Sequence, residues 1–185
     1  AERREYFEYG ADLTSVPVLT NWPAVKELKN KKLVPEDSIF IPGHTGDFIS
    51  GGHIPATFLN MKKITEDDIA DAVLRRHYCL WDWSREIHRL DSILRDRIVD
   101  QIGKNYADCT QDDAVGAFQR WEWQERQAKF IVNSVKVYDF WGYDWRMPLW
   151  DNEVMEFFSK VPLELCFKQK LYIDYLFTKI FPEYD

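Results

Sequence analysis

Apolar positions along this chain fall into two regimes. Up to about residue 60 they come in short runs, and beyond it they recur at helical spacing. In the first regime, Trp22, Val25, Leu28 and Leu33 share one face, with Lys26, Lys29, Lys31 and Lys32 opposite. That predicts a helix over about 22–33, capped by Asn21 with Pro23 in its first turn. Residues 1–20 show no strong period. Val16-Pro17-Val18-Leu19 reads as a short strand at most, and an edge one, because Pro17 donates no ladder bond. The apolar run after Ser38, Ile39-Phe40-Ile41-Pro42, has no polar alternation and predicts a strand over 38–41 buried on both faces, as in a parallel sheet.

From residue 64 the period is 3.6. Thr65-Glu66-Asp67-Asp68 and Thr110-Gln111-Asp112-Asp113 both have the form of a capping box, in which the threonine hydroxyl accepts from the amide three residues on and the aspartate reaches back. The first opens a helix through Ile69, Ala72 and Val73. A second helix runs from Ser84 through Ile87, Leu90, Ile93, Leu94, Ile98 and Ile102 and stops near Gly103. The second box opens the longest helix, about 111–139, with Ala114, Phe118, Trp121, Ala128, Ile131, Val132 and Val135 inward. After the breakers Gly142 and Pro148, Asp151 caps a helix near 152–159, and residues 168–181 form the last one.

The expected fold is therefore mainly α, with one or two short parallel strands near residues 15–42. Residues 1–185 read as a single domain, an α/β remnant with a glycine loop over 1–60 and a helical part over 61–185. A buried parallel strand needs a paired neighbour, and no second convincing strand is visible. A missing N-terminal segment or a second copy of the chain is expected to complete the sheet. The opening Ala1-Glu2-Arg3-Arg4-Glu5, charged and without an initiator methionine, suggests an excised piece.

Composition narrows the partners. A net charge of −7 with scattered Lys and Arg argues against nucleic acid, and no apolar run approaches the roughly 20 residues of a membrane helix. Cys79, Cys109 and Cys166 are odd in number and far apart, which fits buried thiols in a reducing cytoplasm. The aromatic load of 8 Trp, 9 Tyr and 12 Phe points to a heavy core or a buried interface. Trp81-Asp82-Trp83 and Trp121-Glu122-Trp123 resemble sugar-stacking pairs, but packing is the simpler reading.

Two stretches carry candidate chemistry. Gly43-His44-Thr45-Gly46-Asp47, followed by Gly51-Gly52, suits a phosphate or pyrophosphate cradle: glycines admit the backbone to the ligand and Asp47 offers a carboxylate to Mg²⁺. A purely structural turn fits the same residues. In Tyr143-Asp144-Trp145-Arg146-Met147-Pro148-Leu149-Trp150-Asp151, Arg146 either clamps a carboxylate or phosphate bidentately or pins the junction through Asp144 or Asp151. His44 and His53 flank the loop, a conceivable metal pair, while His77 and His88 read as helix-surface or partly buried side chains.

Taken together, these stretches resemble the synthetase domain of the glutamine-dependent asparagine synthetases, of the ATP pyrophosphatase (PP-loop) superfamily. Where that family has a strand followed by SGEGGDELFGGY, this chain has Ile41 to His53, matching at Gly43, Asp47, Gly51 and Gly52. Asp144 to Asp151, then Val161-Pro162-Leu163-Glu164-Leu165, resemble the family's E-x-R-V-P-F-L-D and L-P-x-E-L-K, and Lys170-Leu171-Tyr172 resembles its K-Y-L. The likeness spans about residues 15–183 and is nearest to the divergent members from bacterial surface-polysaccharide gene clusters, whose loop reads PGH-x-GDF.

The resemblance implies the helical C-terminal part of an α/β domain of an ATP-dependent ligase. Such an enzyme adenylates a carboxylate substrate and amidates it with ammonia from glutamine. Gly43, Thr45, Gly46, Asp47, Gly51 and Gly52 then meet ATP and Mg²⁺, with Asp47 on the metal. His44 stands at the acyl-adenylate, and Arg146 and Lys170 lie on the substrate side or are structural. The family's SGGxDS loop, its catalytic lysine and its glutaminase domain are not in this sequence, so the segment alone is expected to be inactive. His44 also replaces an acidic residue, which removes a negative charge while keeping a base. The alternative is a non-catalytic helical scaffold that kept the fold.

Overall fold

A computed structural model describes residues 2–11, 15–79, 87–103, 106 and 108–184. In chain order the elements are α1 (Glu2–Ala11), α2 (Trp22–Asn30), β1 (Ile39–Phe40), α3 (Gly46–Ile49), α4 (Glu66–His77), α5 (Ile87–Ile102), α6 (Gln111–Glu122), a π-helical stretch (Trp123–Ile131), a 3₁₀ turn (Val132–Val135), α7 (Lys136–Phe140), β2 (Asp144–Trp145), a second 3₁₀ turn (Pro148–Trp150), α8 (Asn152–Ser159), α9 (Leu163–Cys166) and α10 (Lys170–Tyr175), which continues with altered winding to Glu183. The molecule is mainly helical with one small parallel sheet. It divides into two compact units, residues 1–52 with 125–185, and residues 53–124.

In the first unit, β1 pairs in parallel with β2, Ile39 opposite Asp144 and Phe40 opposite Trp145. The Arg146 amide extends the ladder to the Phe40 carbonyl at 2.9 Å. The partner strand is thus supplied from a hundred residues downstream, where a two-residue strand among aromatics leaves no periodic signal. Val16 to Leu19 form no strand. Nor is β1 buried on both faces: Phe40 stacks on Tyr138 at 4.5 Å between ring centroids, while Ile39 and Ile41 are 51% and 66% exposed. Tyr6, Val25, Val135, Val137, Tyr138 and Tyr143 make the core beside this sheet.

α1 was not expected, because its apolar residues form no stripe. Its Tyr6 is fully buried, with its hydroxyl donated to the Val18 carbonyl at 3.0 Å, and the Tyr9 ring lies 5.8 Å from that of Phe140. α2 starts where expected, but Asn21 makes no side-chain cap bond, so Pro23 in the first turn carries the start.

The second unit is a helical cluster. Both capping boxes form as read, with Thr65 accepting from the Asp68 amide at 3.3 Å and Thr110 from the Asp113 amide at 3.2 Å. Ile64, Ile69, Val73, Ile98, Ile102, Ala114 and Phe118 are buried between α4, α5 and α6. Gly103 takes φ +89° just beyond α5, the left-handed stop expected of it. Ser84, the Trp81-Asp82-Trp83 pair and the side chain of His88 lie outside the described residues. No helix among the described residues is long and apolar enough to cross a membrane.

Candidate functional site

The glycine loop follows β1 directly, and the Arg146 segment follows β2. Because the strands are parallel neighbours, both loops leave the same, carboxyl, end of the sheet, where ligand crevices form in α/β folds. They are joined there: the Trp150 indole Nε1–H donates to Thr45 Oγ1 at 2.9 Å, and a Cβ built on Gly46 would lie 3.0 Å from a Leu149 methyl.

Thr45 is the pivot of the loop. It is buried and takes φ +75°, a left-handed conformation costly for a β-branched residue. Its hydroxyl accepts from Trp150 and donates to Gln127 Oε1 at 3.0 Å, which fixes the backbone there. Beside it, His44 is half-buried, with Nε2 2.6 Å from Ser134 Oγ. Burial holds the His44 imidazole below its ordinary pKa, and the negative charge of Asp47 offsets only part of this. His44 is therefore neutral around pH 7.

Gln127 and Ser134 escaped the sequence reading. An α period through Trp121 continues to Ala128 and Ile131, yet Ala128 is exposed and Gln127, Asn133 and Ser134 are buried instead. The cause is the backbone. The π-helical stretch adds a residue to each turn and the 3₁₀ turn after it removes one, so the constant 100° step fails across 123–135. A cluster of polar residues in an apolar-periodic helix was the only available signal.

The other expected site residues divide by environment. Gly43 and Asp47 are exposed, and a Cβ on Gly43 would meet nothing within 4 Å, so the backbone is open to approach there. Gly51 and Gly52 instead face protein. At Gly51, φ is +94° and a Cβ would come 2.2 Å from the Cys166 carbonyl; at Gly52 it would come 2.8 Å from the Asp47 carbonyl. The Ser50 hydroxyl, bonded to the Gly46 carbonyl and to Gln169 Nε2 at 2.6 and 2.7 Å, closes this packing. Arg146 is exposed, and its Nη1 donates to its neighbour's carbonyl, Trp145 O, at 2.7 Å rather than to Asp144 or Asp151. It lines an open cleft of about 520 Å³ with Asp139, Asp144, Trp145, Met147 and Trp150. Lys170 is not among these; it is exposed and paired with Asp174 at 2.5 Å.

A second polar cluster lies in the other unit. Glu122 is fully buried, with His53 Nδ1 in a short contact to its Oε1 and His77 Nε2 3.7 Å from its Oε2. Burial alone pushes the Glu122 carboxyl up, but the two imidazoles outweigh it and bring its pKa down to about 2. Phe118 stacks on the His77 ring, and Trp121 packs against it at a tilt. His53 is thus tied through Nδ1 to Glu122. Among the described residues no group of three His, Cys, Asp or Glu side chains is placed to hold a metal ion. Comparison with family models, curated proteins and solved structures finds no match to this chain.

Proposed function

We propose that this chain is the C-terminal, mostly helical part of an ATP-dependent ligase of asparagine-synthetase type, one that adenylates a carboxylate and amidates it from ammonia or glutamine. The observation that supports this reading is the union of its two motifs. Segments a hundred residues apart, both of which carry the resemblance, follow adjacent parallel strands and are hydrogen-bonded to each other through Thr45 and Trp150.

In this reading Gly43 and Gly46 present backbone to pyrophosphate and the exposed Asp47 holds Mg²⁺, whose charge neutralises the phosphate oxygens. Gly43 and Asp47 fit that role on exposure alone. Thr45, Gly51 and Gly52 contribute by shaping the loop, since their own side chain or α-carbon faces protein. His44, neutral at pH 7, accepts a proton when nitrogen attacks the activated carboxyl. Arg146, lining an open cleft and without a carboxylate partner among the described residues, receives the substrate carboxylate.

Titration of Mg·ATP and Mg·pyrophosphate into the full-length protein tests this. Asp47→Ala is expected to weaken binding at least tenfold without a large change in melting temperature, because Asp47 is exposed. Equal affinity and turnover in both proteins removes Asp47 from the site and leaves the scaffold reading standing.

A further inference from the structure

We infer that Ser134 is a positioning residue which fixes His44 in the tautomer protonated at Nε2, so that Nδ1 is the basic nitrogen of the site. The reasoning is an accounting of protons. Ser134 Oγ lies 2.5 Å from the Ile131 carbonyl oxygen and 2.6 Å from His44 Nε2. A carbonyl carries no hydrogen, so two oxygens at that separation are held together only if the serine proton lies between them. A serine has one such proton. Committed to Ile131, the hydroxyl has none to give His44 and meets it as an acceptor. The imidazole must then supply the hydrogen from Nε2, and in a neutral ring that leaves the lone pair on Nδ1.

The surroundings reinforce this assignment. Ser134 is 5% exposed, so water does not compete for its hydroxyl, and Ile131 lies one 3₁₀ step back along the same backbone, where geometry holds the carbonyl in place. His44 is held below its ordinary pKa, so the ring is neutral and its tautomer is a meaningful state. Among the described residues Nδ1 has no protein partner. The polar contents of the irregular helix thus serve the loop twice: Gln127 bonds Thr45 and sets the backbone, and Ser134 sets which nitrogen of the neighbouring His44 takes up a proton. That Nδ1 takes a proton from the attacking nitrogen rests on the ligase reading. The tautomer does not.

The test is ¹⁵N NMR of the histidine rings in the full-length protein near pH 7.5, with His44 assigned by its loss in His44→Gln. The wild type is expected to show His44 as a single Nε2–H form, one ring nitrogen protonated and the other at the shift of an unprotonated nitrogen. Ser134→Ala is expected to draw the two shifts toward each other as the tautomers mix, and Ser134→Thr, which keeps a hydroxyl, to restore their separation. A wild-type ring protonated at Nδ1, or wild-type shifts unaltered in Ser134→Ala, overturns the inference; the first of these needs no variant to fold. Mg·ATP titration of the same samples reads the ligase proposal separately. A protein that binds no nucleotide but shows the Nε2–H form loses that proposal and keeps this one.

Discussion

His44 and His53 stand nine residues apart in sequence and meet opposite environments. The ring of His44 is half-buried against a neutral hydroxyl, is uncharged at pH 7 and, among the described residues, keeps one nitrogen without a protein partner. His53 is 6% exposed against the Glu122 carboxylate, which is ionised down to about pH 2. On the ligase reading, the difference separates a base from a brace. A histidine that is to take up a proton must have a free lone pair; one held against a buried anion spends part of its polarity on holding the structure. Both look alike in sequence, as lone histidines beside glycines.

The brace gives the largest expected effect. Glu122→Ala leaves two buried imidazoles around a cavity without their carboxylate, and breaking such a cluster costs roughly 3–5 kcal/mol. The Glu122 pKa also dictates the sign of the acid response. Its folded value of about 2 lies below the ordinary 4.5, so the unfolded chain binds the proton more readily. The resulting stability, about 3 kcal/mol, is fully present above pH 4.5 and is lost as pH falls from there toward 2. Urea unfolding at pH 7, 4 and 3 should show that loss in the wild type and much less of it in Glu122→Gln. Parallel acid limbs in the two proteins remove the cluster from its bracing role. His44→Gln, by contrast, should remove only the loss that the depressed His44 pKa causes as pH falls below the ordinary histidine value.

Next in size is a contrast within the loop. Gly51→Ala puts a methyl 2.2 Å from the Cys166 carbonyl at φ +94°, and neither backbone yields cheaply. A loss of about 2–4 kcal/mol is expected. Gly43→Ala meets nothing within 4 Å and should change stability by less than about 0.5 kcal/mol. If Gly43 serves a ligand, its variant instead loses affinity for Mg·pyrophosphate while melting normally. Thermal unfolding of both variants, read beside that titration, distinguishes a glycine that protein requires from one that a ligand requires. Equal melting losses would erase the distinction.

How far these roles were legible depends on which signals are local. The capping boxes at Thr65 and Thr110 were readable because the threonine, the aspartate and the amide they share lie within four residues. The pairing of β1 with β2 was hidden because two residues per strand are too few to show alternation, and only resemblance placed Arg146 near the glycine loop. Gln127, Ser134 and Glu122 were unreadable for another reason. Their burial depends on partners 69 to 90 residues away and on a helix whose winding changes midway, so an α period assigned the inward face to Ala128 and Ile131. Glu122 was in fact read only as the polar member of an aromatic pair.

The smallest effect concerns the backbone beside His44. Thr45 adopts a left-handed φ of +75°, where a β-branched side chain is strained by about 1–2 kcal/mol, and its two hydrogen bonds offset that strain. Thr45→Val keeps the strain and removes both bonds, whereas Thr45→Gly removes the bonds and the strain together. Stability should therefore rank wild type above Gly above Val, with Gly and Val separated by about 1 kcal/mol. The opposite order between Gly and Val would mean that side-chain packing, rather than backbone strain, governs Thr45. Ligand affinity should rank differently. Both variants lose the tie to Trp150, so the glycine loop is released from the Arg146 cleft in each, and Mg·pyrophosphate binding should fall by a similar factor in Gly and Val despite their unequal stabilities. A loop that binds equally well without the tie is not organised by it, and the strained conformation of Thr45 would then need a cause outside the site.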